Sequence, residues 1–220
     1  MSGRLGAYSH GIRPGVGFAT AGFVVGLSFG VVAQPTMGSI APIVMSVFVF
    51  AGSAQFGATA VLASGGGAIT AIATGTMLNA RFLAMGVAAA PALRGGKWRR
   101  AAEGQAVVDA SWALAARTGD KGFDREALLG ATLPQYPAWV LGTVAGVLLG
   151  GVIGDPAAYG LDAIFPAFFL ALLWSELDRP GVIPVVVIAG VITLALTPFL
   201  PAGLPVLFAS TAALLGLRRR

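Results

Sequence analysis

Few side chains in this sequence could do chemistry, and the densest group lies in Thr70-Ala-Ile-Ala-Thr-Gly-Thr-Met-Leu-Asn79-Ala-Arg81-Phe-Leu-Ala-Met85, inside an apolar run from Gly67 to Leu93. Arg81 cannot shed its proton, and an Arg within a bilayer costs at least about 2.5–3.5 kcal/mol. A cation kept at that cost can fork onto a carboxylate, of the protein or of a ligand, through two parallel hydrogen bonds. Asn79 adds an amide two residues earlier. At 100° per residue, Thr70, Thr74 and Arg81 fall within about 40° of one another on a helix, with Thr76 and Asn79 on a different side. An element polar in two directions suits a helix packed inside a bundle and wetted by a cavity. The plainer alternative is that Arg81 snorkels to an interface and sets depth. It sits about a dozen residues before Arg94, roughly 18 Å at helical rise, which is too far for easy snorkelling toward that side.

The other candidates are scattered. Ala51-Gly52-Ser53-Ala54-Gln55-Phe56-Gly57 interrupts the apolar run Ser39–Leu62 with two glycines, a hydroxyl and an amide. Broken backbone at membrane depth is tolerated where it lines a cavity or is buried in protein, so the segment reads either as a discontinuous helix around Gly52–Gly57 or as a continuous one using Gly and Ser for packing. Asp109 stands beside Ser111 and Trp112 in a short apolar piece, 106–116, that is too short to cross unaided. That piece is either an interfacial helix or one dipping toward a cavity. Asp162 opens a later apolar run, where an acid can cap the helix, pair with Arg81 or take up a proton. Asp155 and Glu176 complete the acids near or within the apolar runs. The single His, at position 10, and the absence of Cys leave no triad, disulfide or thiolate metal site. No phosphate-binding loop is present, no cofactor or metal is expected, and carboxylates are the only side chains in the spans able to relay protons.

The elements that must position these residues follow from composition. The chain is 56% hydrophobic and 10% charged with mean hydropathy +0.84, against about 25% charged in soluble domains. It reads as an all-α polytopic membrane protein, multi-pass in the cell membrane, whose net charge of +5 reflects topology rather than nucleic acid binding. Its 32 glycines fit helices that pack through small residues. A run of about 20 apolar residues is needed per crossing, and the runs Gly15–Ala33 (retained, and too long for a signal peptide core), Ser39–Leu62, Gly67–Leu93, Leu133–Val152, Gly160–Leu177, Val182–Leu200 and Gly203–Leu217 give about seven transmembrane helices. Residues 94–126 carry Arg94, Lys97, Arg99, Arg100, Arg117, Lys121 and Arg125, and the C-terminus carries Arg218 to Arg220. The positive-inside rule makes both cytoplasmic. Seven crossings then put the N-terminus outside. The competing topology makes Ser39–Leu62 re-entrant, with six full crossings and the N-terminus inside. Gly22, Gly26 and Gly30 recur in spacing as Gly142, Gly146 and Gly150, and Pro42 as Pro166. Three spans followed by three more suggest 3+3 inverted repeats plus a final helix. The single domain, 1–220, then divides into repeats at 1–93 and 131–200, a connecting segment at 94–130, and a final helix with a basic tail at 201–220.

Taken together, Met45-Ser46, Ala51-Gly52-Ser53-Ala54-Gln55-Phe56, Leu78-Asn79-Ala80-Arg81-Phe82, Asp109, and Leu161-Asp162 with Pro166 and Phe169 resemble the AzlC-type branched-chain amino-acid permeases, over most of the chain from Gly15 onward. The family typically shows Gly-Ala/Ser-Ala-Gln-Phe and Asn-x-Arg-Tyr/Phe cores, and an Asp-Glu pair where this chain has Asp109-Ala110. The resemblance implies a secondary exporter of valine, leucine and isoleucine that is not an enzyme, works with a small AzlD-type membrane subunit, and is coupled, if to any ion, to protons. A zwitterion needs a cation for its carboxylate, acceptors for its ammonium and an apolar wall for its side chain. Arg81 is the candidate for the first. Gln55, freed carbonyls near Gly52, and Asp162 are candidates for the second, and Phe50, Phe56 and Phe169 for the third. Asn79, Ser53 and Asp109 complete the expected translocation residues. Two other classes compete: an intramembrane aspartyl hydrolase using Asp109 and Asp162, and a non-transporting assembly subunit, which would need no polar lining at mid-span.

Overall fold

The computed structural model of the chain describes residues 2–118, 123–153, 156–161, 163–174, 177–178, 180–200 and 204–213. Asp155, Asp162, Glu176 and Arg218 to Arg220 lie outside the described residues. Those described form α1 (Ser2–Met37), α2 (Ile40–Phe48), α3 (Gly52–Ala63), α4 (Ala68–Asn79), α5 (Arg81–Ala89), α6 (Lys97–Gly104), α7 (Asp109–Thr118), α8 (Arg125–Ile153), α9 (Ile164–Trp174), α10 (Val182–Leu196) and α11 (Leu204–Ser210), with no strand among them.

The axis of the molecule is α1 against α8. Gly11 meets Ala127, Gly15 meets Ala131, Gly26 meets Trp139, and Gly30 meets Gly146. The numbers rise together, so the two helices run parallel. Contact is backbone to backbone: a Cβ on Gly15 would stand 2.7 Å from the Ala131 Cα, and one on Gly26, Gly30, Gly142 or Gly146 would run into a facing carbonyl oxygen. Dispersion between closely approaching backbones is the main drive for helix association where no water is displaced. The two glycine ridges are therefore partners in one interface. Repeats that began at these ridges with opposite orientation would set them antiparallel, and the structure does not.

At the far end of α1 the chain turns through Gly38 (φ 73°) and comes back. Ser46 reaches Thr143 and Phe50 stacks edge-on against Tyr136 and Trp139, so α2 descends along α8. It stops at Val49 and reverses at Phe50, the one non-glycine residue with positive φ (41°) among those described. From Gly52, α3 climbs again: Gln55 returns to Ser46, Phe56 to Phe29 and Thr59 to Met37. Residues 40–63 thus enter and leave at one end. The break falls at 49–51, just ahead of the glycine-bounded segment 52–57 that the sequence points to.

α4 then runs antiparallel to α3, with Gly57 against Leu78 and Gly75 against Ala54. With α5 it reaches the basic end, interrupted only at Ala80, where Ala80 N–H bonds Met77 O and Leu83 N–H bonds Ala80 O. A second hairpin enters from this end. Glu103 of α6 bonds Arg125, Ala106 O accepts from Thr132, and Val108 packs with Trp139, so this limb climbs α8. α7 then descends from Ser111, bonded to Thr132 and Gln135. The dipping alternative for 106–116 is the one the fold adopts.

Among the described residues, three helical stretches have the length and apolarity to cross a membrane: Tyr8–Met37, Ala68–Ala89 and Arg125–Val152. The runs expected as crossings five to seven appear as the shorter α9, α10 and α11; α10 has no buried residue, α10 packs on α11, α11 also touches α4, and α9 touches α1. The N-terminus also needs correction. His10 bonds Asp124 at 3.0 Å, so the start of α1 lies at the same end as the basic segment. Seven crossings would separate them. The re-entrant alternative for residues 39–62, with N-terminus and basic segment together, matches this geometry.

Candidate functional site

The two hairpins enter from opposite ends and their tips meet. Between them lies a cavity with about 50 Å³ of space for water-sized groups, lined by Phe50, Ala51 and Gly52 of the first tip and Val108, Asp109 and Ala110 of the second. Phe18 and Gly22 of α1, Phe82 of α5, and Gln135 and Trp139 of α8 close it. Gly22 belongs to the ridge by spacing, yet a Cβ there would find its nearest neighbour, in the Trp139 ring, at 4.0 Å. It opens the cavity instead of closing the helix contact.

Arg81 begins α5 directly after the Ala80 break. Its Nη2 donates to Asp109 Oδ2 at 2.8 Å, with the two side chains 26% and 27% exposed, and its guanidinium lies 4.9 Å from the Phe82 ring centroid. Of the pair, Asp109 lines the cavity. Asn79, across the break, lines a second and more apolar cavity of about 350 Å³ with Met37, Met45, Ala54, Gly75 and Thr76. The Asn79 Oδ1 is buried without a hydrogen-bond partner.

Gln55 is elsewhere. It is fully buried, its Nε2 donates to Ser46 Oγ at 2.8 Å, and Ser46 is 2.8 Å from the Thr143 hydroxyl. Thr59 donates to the Gln55 carbonyl. These bonds clamp the first hairpin to α8; Gln55 lines neither of the two cavities, and its Oε1 is buried without a hydrogen-bond partner. Ser53 is buried with its hydroxyl unpartnered. Asp162, expected near Arg81, lies outside the described residues. Sequence reasoning missed Trp139 and Gln135. Their spacing of four residues, which puts both on one face of α8, was the available signal. Phe18 and Val108 carried none.

The basic end is locked by ions. Arg125, buried, holds Glu103 through two hydrogen bonds, one of 2.9 Å from Nε; the Arg94 N–H and Arg99 Nε also donate to Glu103. Hydrogen bonding from Arg125 outweighs burial and, with those further donors, brings the Glu103 carboxyl down to about 2.

Fold and site together define an all-helical membrane protein with a polar centre held between two half-helices. The chain belongs to the AzlC family: residues 18–153, from the middle of α1 to the end of α8, match the family model described as "AzlC protein". That family is associated with membrane transport. Relatives in two strains of Helicobacter pylori are 23% and 22% identical over 79% of this chain and 75% of their own length, and each is described as an "Uncharacterized membrane protein". No solved structure matches the chain.

Proposed function

We propose that this protein is a secondary transporter that exports branched-chain amino acids across the cell membrane together with a small AzlD-type membrane subunit. The observation that carries the reading is the meeting of two opposed hairpin tips at a cavity lined by Asp109, itself held by Arg81. Half-helices with their ends at a shared site near mid-membrane are how many transporters bind substrate. Asp109 accepts the substrate ammonium, and where a proton is coupled, Asp109 is its acceptor. Arg81, first assigned to the substrate carboxylate, serves by fixing Asp109 at the cavity wall. Phe18, Phe50 and Phe82 supply an apolar wall for the aliphatic side chain. Asn79 lines the way through the second cavity. The basic segment at 94–118 and the N-terminus face the cytoplasm.

Labelled-valine efflux from cells expressing this chain, with and without a small AzlD-type subunit, tests the reading. Export above background is expected when both are present. Background-level efflux of valine, leucine and isoleucine with both subunits in the membrane would reject it.

A further inference from the structure

The return limbs of the two hairpins, α3 and α7, both begin at the cavity, and they differ. α7 carries an acid in its first turn, Asp109, beside Arg81. α3 has none: Ala51 caps it without a side-chain hydrogen bond, and its first turn contains no acidic residue. The first N–H groups of a helix have no partner within it, and the aligned peptide dipoles leave about half a positive charge there. α3 runs for 12 residues away from the cavity that Ala51 and Gly52 line. The second observation is independent of any helix end. Trp139 lines the same cavity, is only 8% exposed, and its indole Nε1 is buried without a hydrogen-bond partner. An indole N–H can only donate, and a buried donor left without an acceptor is a standing cost that an acceptor removes.

We infer that the N–H groups opening α3 at Gly52 and the indole N–H of Trp139 form a subsite for the carboxylate of the amino acid whose ammonium Asp109 holds. The inference rests on the transporter reading above and adds the half of the zwitterion that Arg81, engaged with Asp109, does not take. Backbone donors suit the task because they bind an anion without adding a full charge that must be desolvated when the site is empty. Size agrees as well. About 50 Å³ holds a few waters at about 10–15 Å³ each, which is room for the polar end of an amino acid.

The test is equilibrium binding to the purified full chain in lipid nanodiscs, with three probes: leucine, leucinamide (no carboxylate) and 4-methylpentanoate (no ammonium). Trp139→Phe removes the indole donor and keeps an aromatic ring. Gly52→Pro removes a backbone donor at the first position of a helix, where proline is well tolerated. Ala51 is already extended (φ −144°, ψ 96°), outside the α region that a following proline disfavours. Gly52→Ala adds a side chain and keeps the donor. Trp139→Phe and Gly52→Pro should each weaken leucine and 4-methylpentanoate about tenfold, the effect of losing a hydrogen bond to a charged group, and leave leucinamide near wild type, whereas Gly52→Ala, which narrows the cavity and keeps the donor, should change all three probes alike. Equal weakening of all three probes by both donor-removing variants would overturn the subsite, because shape alone would then explain the loss. So would wild-type protein that binds leucinamide and neither carboxylate, or that binds no probe. Binding of 4-methylpentanoate without leucine, lost in both variants, would reject amino-acid transport and uphold the carboxylate subsite. If Trp139→Phe does not yield folded protein, the Gly52 pair carries the same comparison.

Discussion

Arg81 and Asp109 are each about a quarter exposed, and that decides what their pairing is worth. Breaking a fully buried pair costs about 3–5 kcal/mol and an exposed one under about 1 kcal/mol, so this pair falls between. Arg81→Ala should lower membrane abundance moderately and abolish efflux, because Asp109 is no longer held at the cavity. Arg81→Lys keeps the charge but loses the planar fork, and should restore abundance while leaving efflux weak. The double change Arg81→Ala with Asp109→Ala should recover abundance and remain inactive. Immunoblots of membranes alongside valine efflux read all three, and normal efflux in Arg81→Ala would remove the pair from the mechanism. Gln55→Leu belongs to another category. The bonds to Ser46 tie the hairpin to α8, so abundance and efflux should fall together; full abundance with no efflux would put Gln55 back in the cavity. The sequence made Arg81 stand out because a permanent cation in an apolar run has few explanations. It could not separate Gln55 the fastener from Gln55 the ligand, since an amide in an apolar run reads identically in both roles.

At the scale of elements, the glycines of α1 make a sharp contrast. Gly26 is pressed against the Trp139 carbonyl, whereas a Cβ on Gly22 would have only the Trp139 ring, at 4.0 Å, beside it. Gly26→Val should destabilise the α1–α8 contact and cut membrane abundance severalfold, overpacking being worth about 1–3 kcal/mol. Gly22→Leu should leave abundance near wild type and block efflux by filling the cavity. The reverse pattern would misplace the cavity. The spacing of four was legible and correctly named a helix contact, but which glycine closes on a neighbour and which leaves room depends on the partner's register. The hairpin 40–63 was harder to read. Its 24 residues have the length and composition of a crossing, and composition fixes length without fixing direction. The reversal occurs at Phe50, with φ 41°, a conformation bulky residues rarely adopt and sequence does not advertise. The second hairpin is held by Glu103, and its lowered pKa gives a pH signature. A carboxylate at about 2 in the fold and near 4.3 unfolded adds stability above about pH 4.3 that is lost as pH falls toward 2. The melting temperature of the purified protein should therefore fall over that window, and Glu103→Gln should lower it at neutral pH and flatten the fall. An unchanged acid profile in that variant would show that the Arg125 contact does not bind the hairpin.

For the whole molecule, the parallel α1 and α8 set how many times the intervening chain can cross. α1 ends far from the basic segment and α8 begins beside it, so residues 38–124 must make an odd net number of crossings. The hairpin 40–63 returns to its own end and contributes none, as does the hairpin built from α6 and α7. Only α4 with α5 is left to cross, and among the described residues Ala68–Ala89 is the one intervening stretch long and apolar enough to do so. By the positive-inside rule the expected orientation has Ser9 and Trp98 inside, and Ser64, in the turn between α3 and α4, outside. With no native cysteine, single Cys substitutions can report this directly. Ser64→Cys should react with a membrane-impermeant thiol reagent in intact cells, while Ser9→Cys and Trp98→Cys should react only after the membrane is opened. A topology with the N-terminus outside would label Ser9→Cys and not Trp98→Cys. It would also require the His10–Asp124 contact to span the bilayer, which a 3.0 Å bond cannot do, so labelling of Ser9→Cys alone would refute the parallel arrangement of α1 and α8 and the cavity built on it.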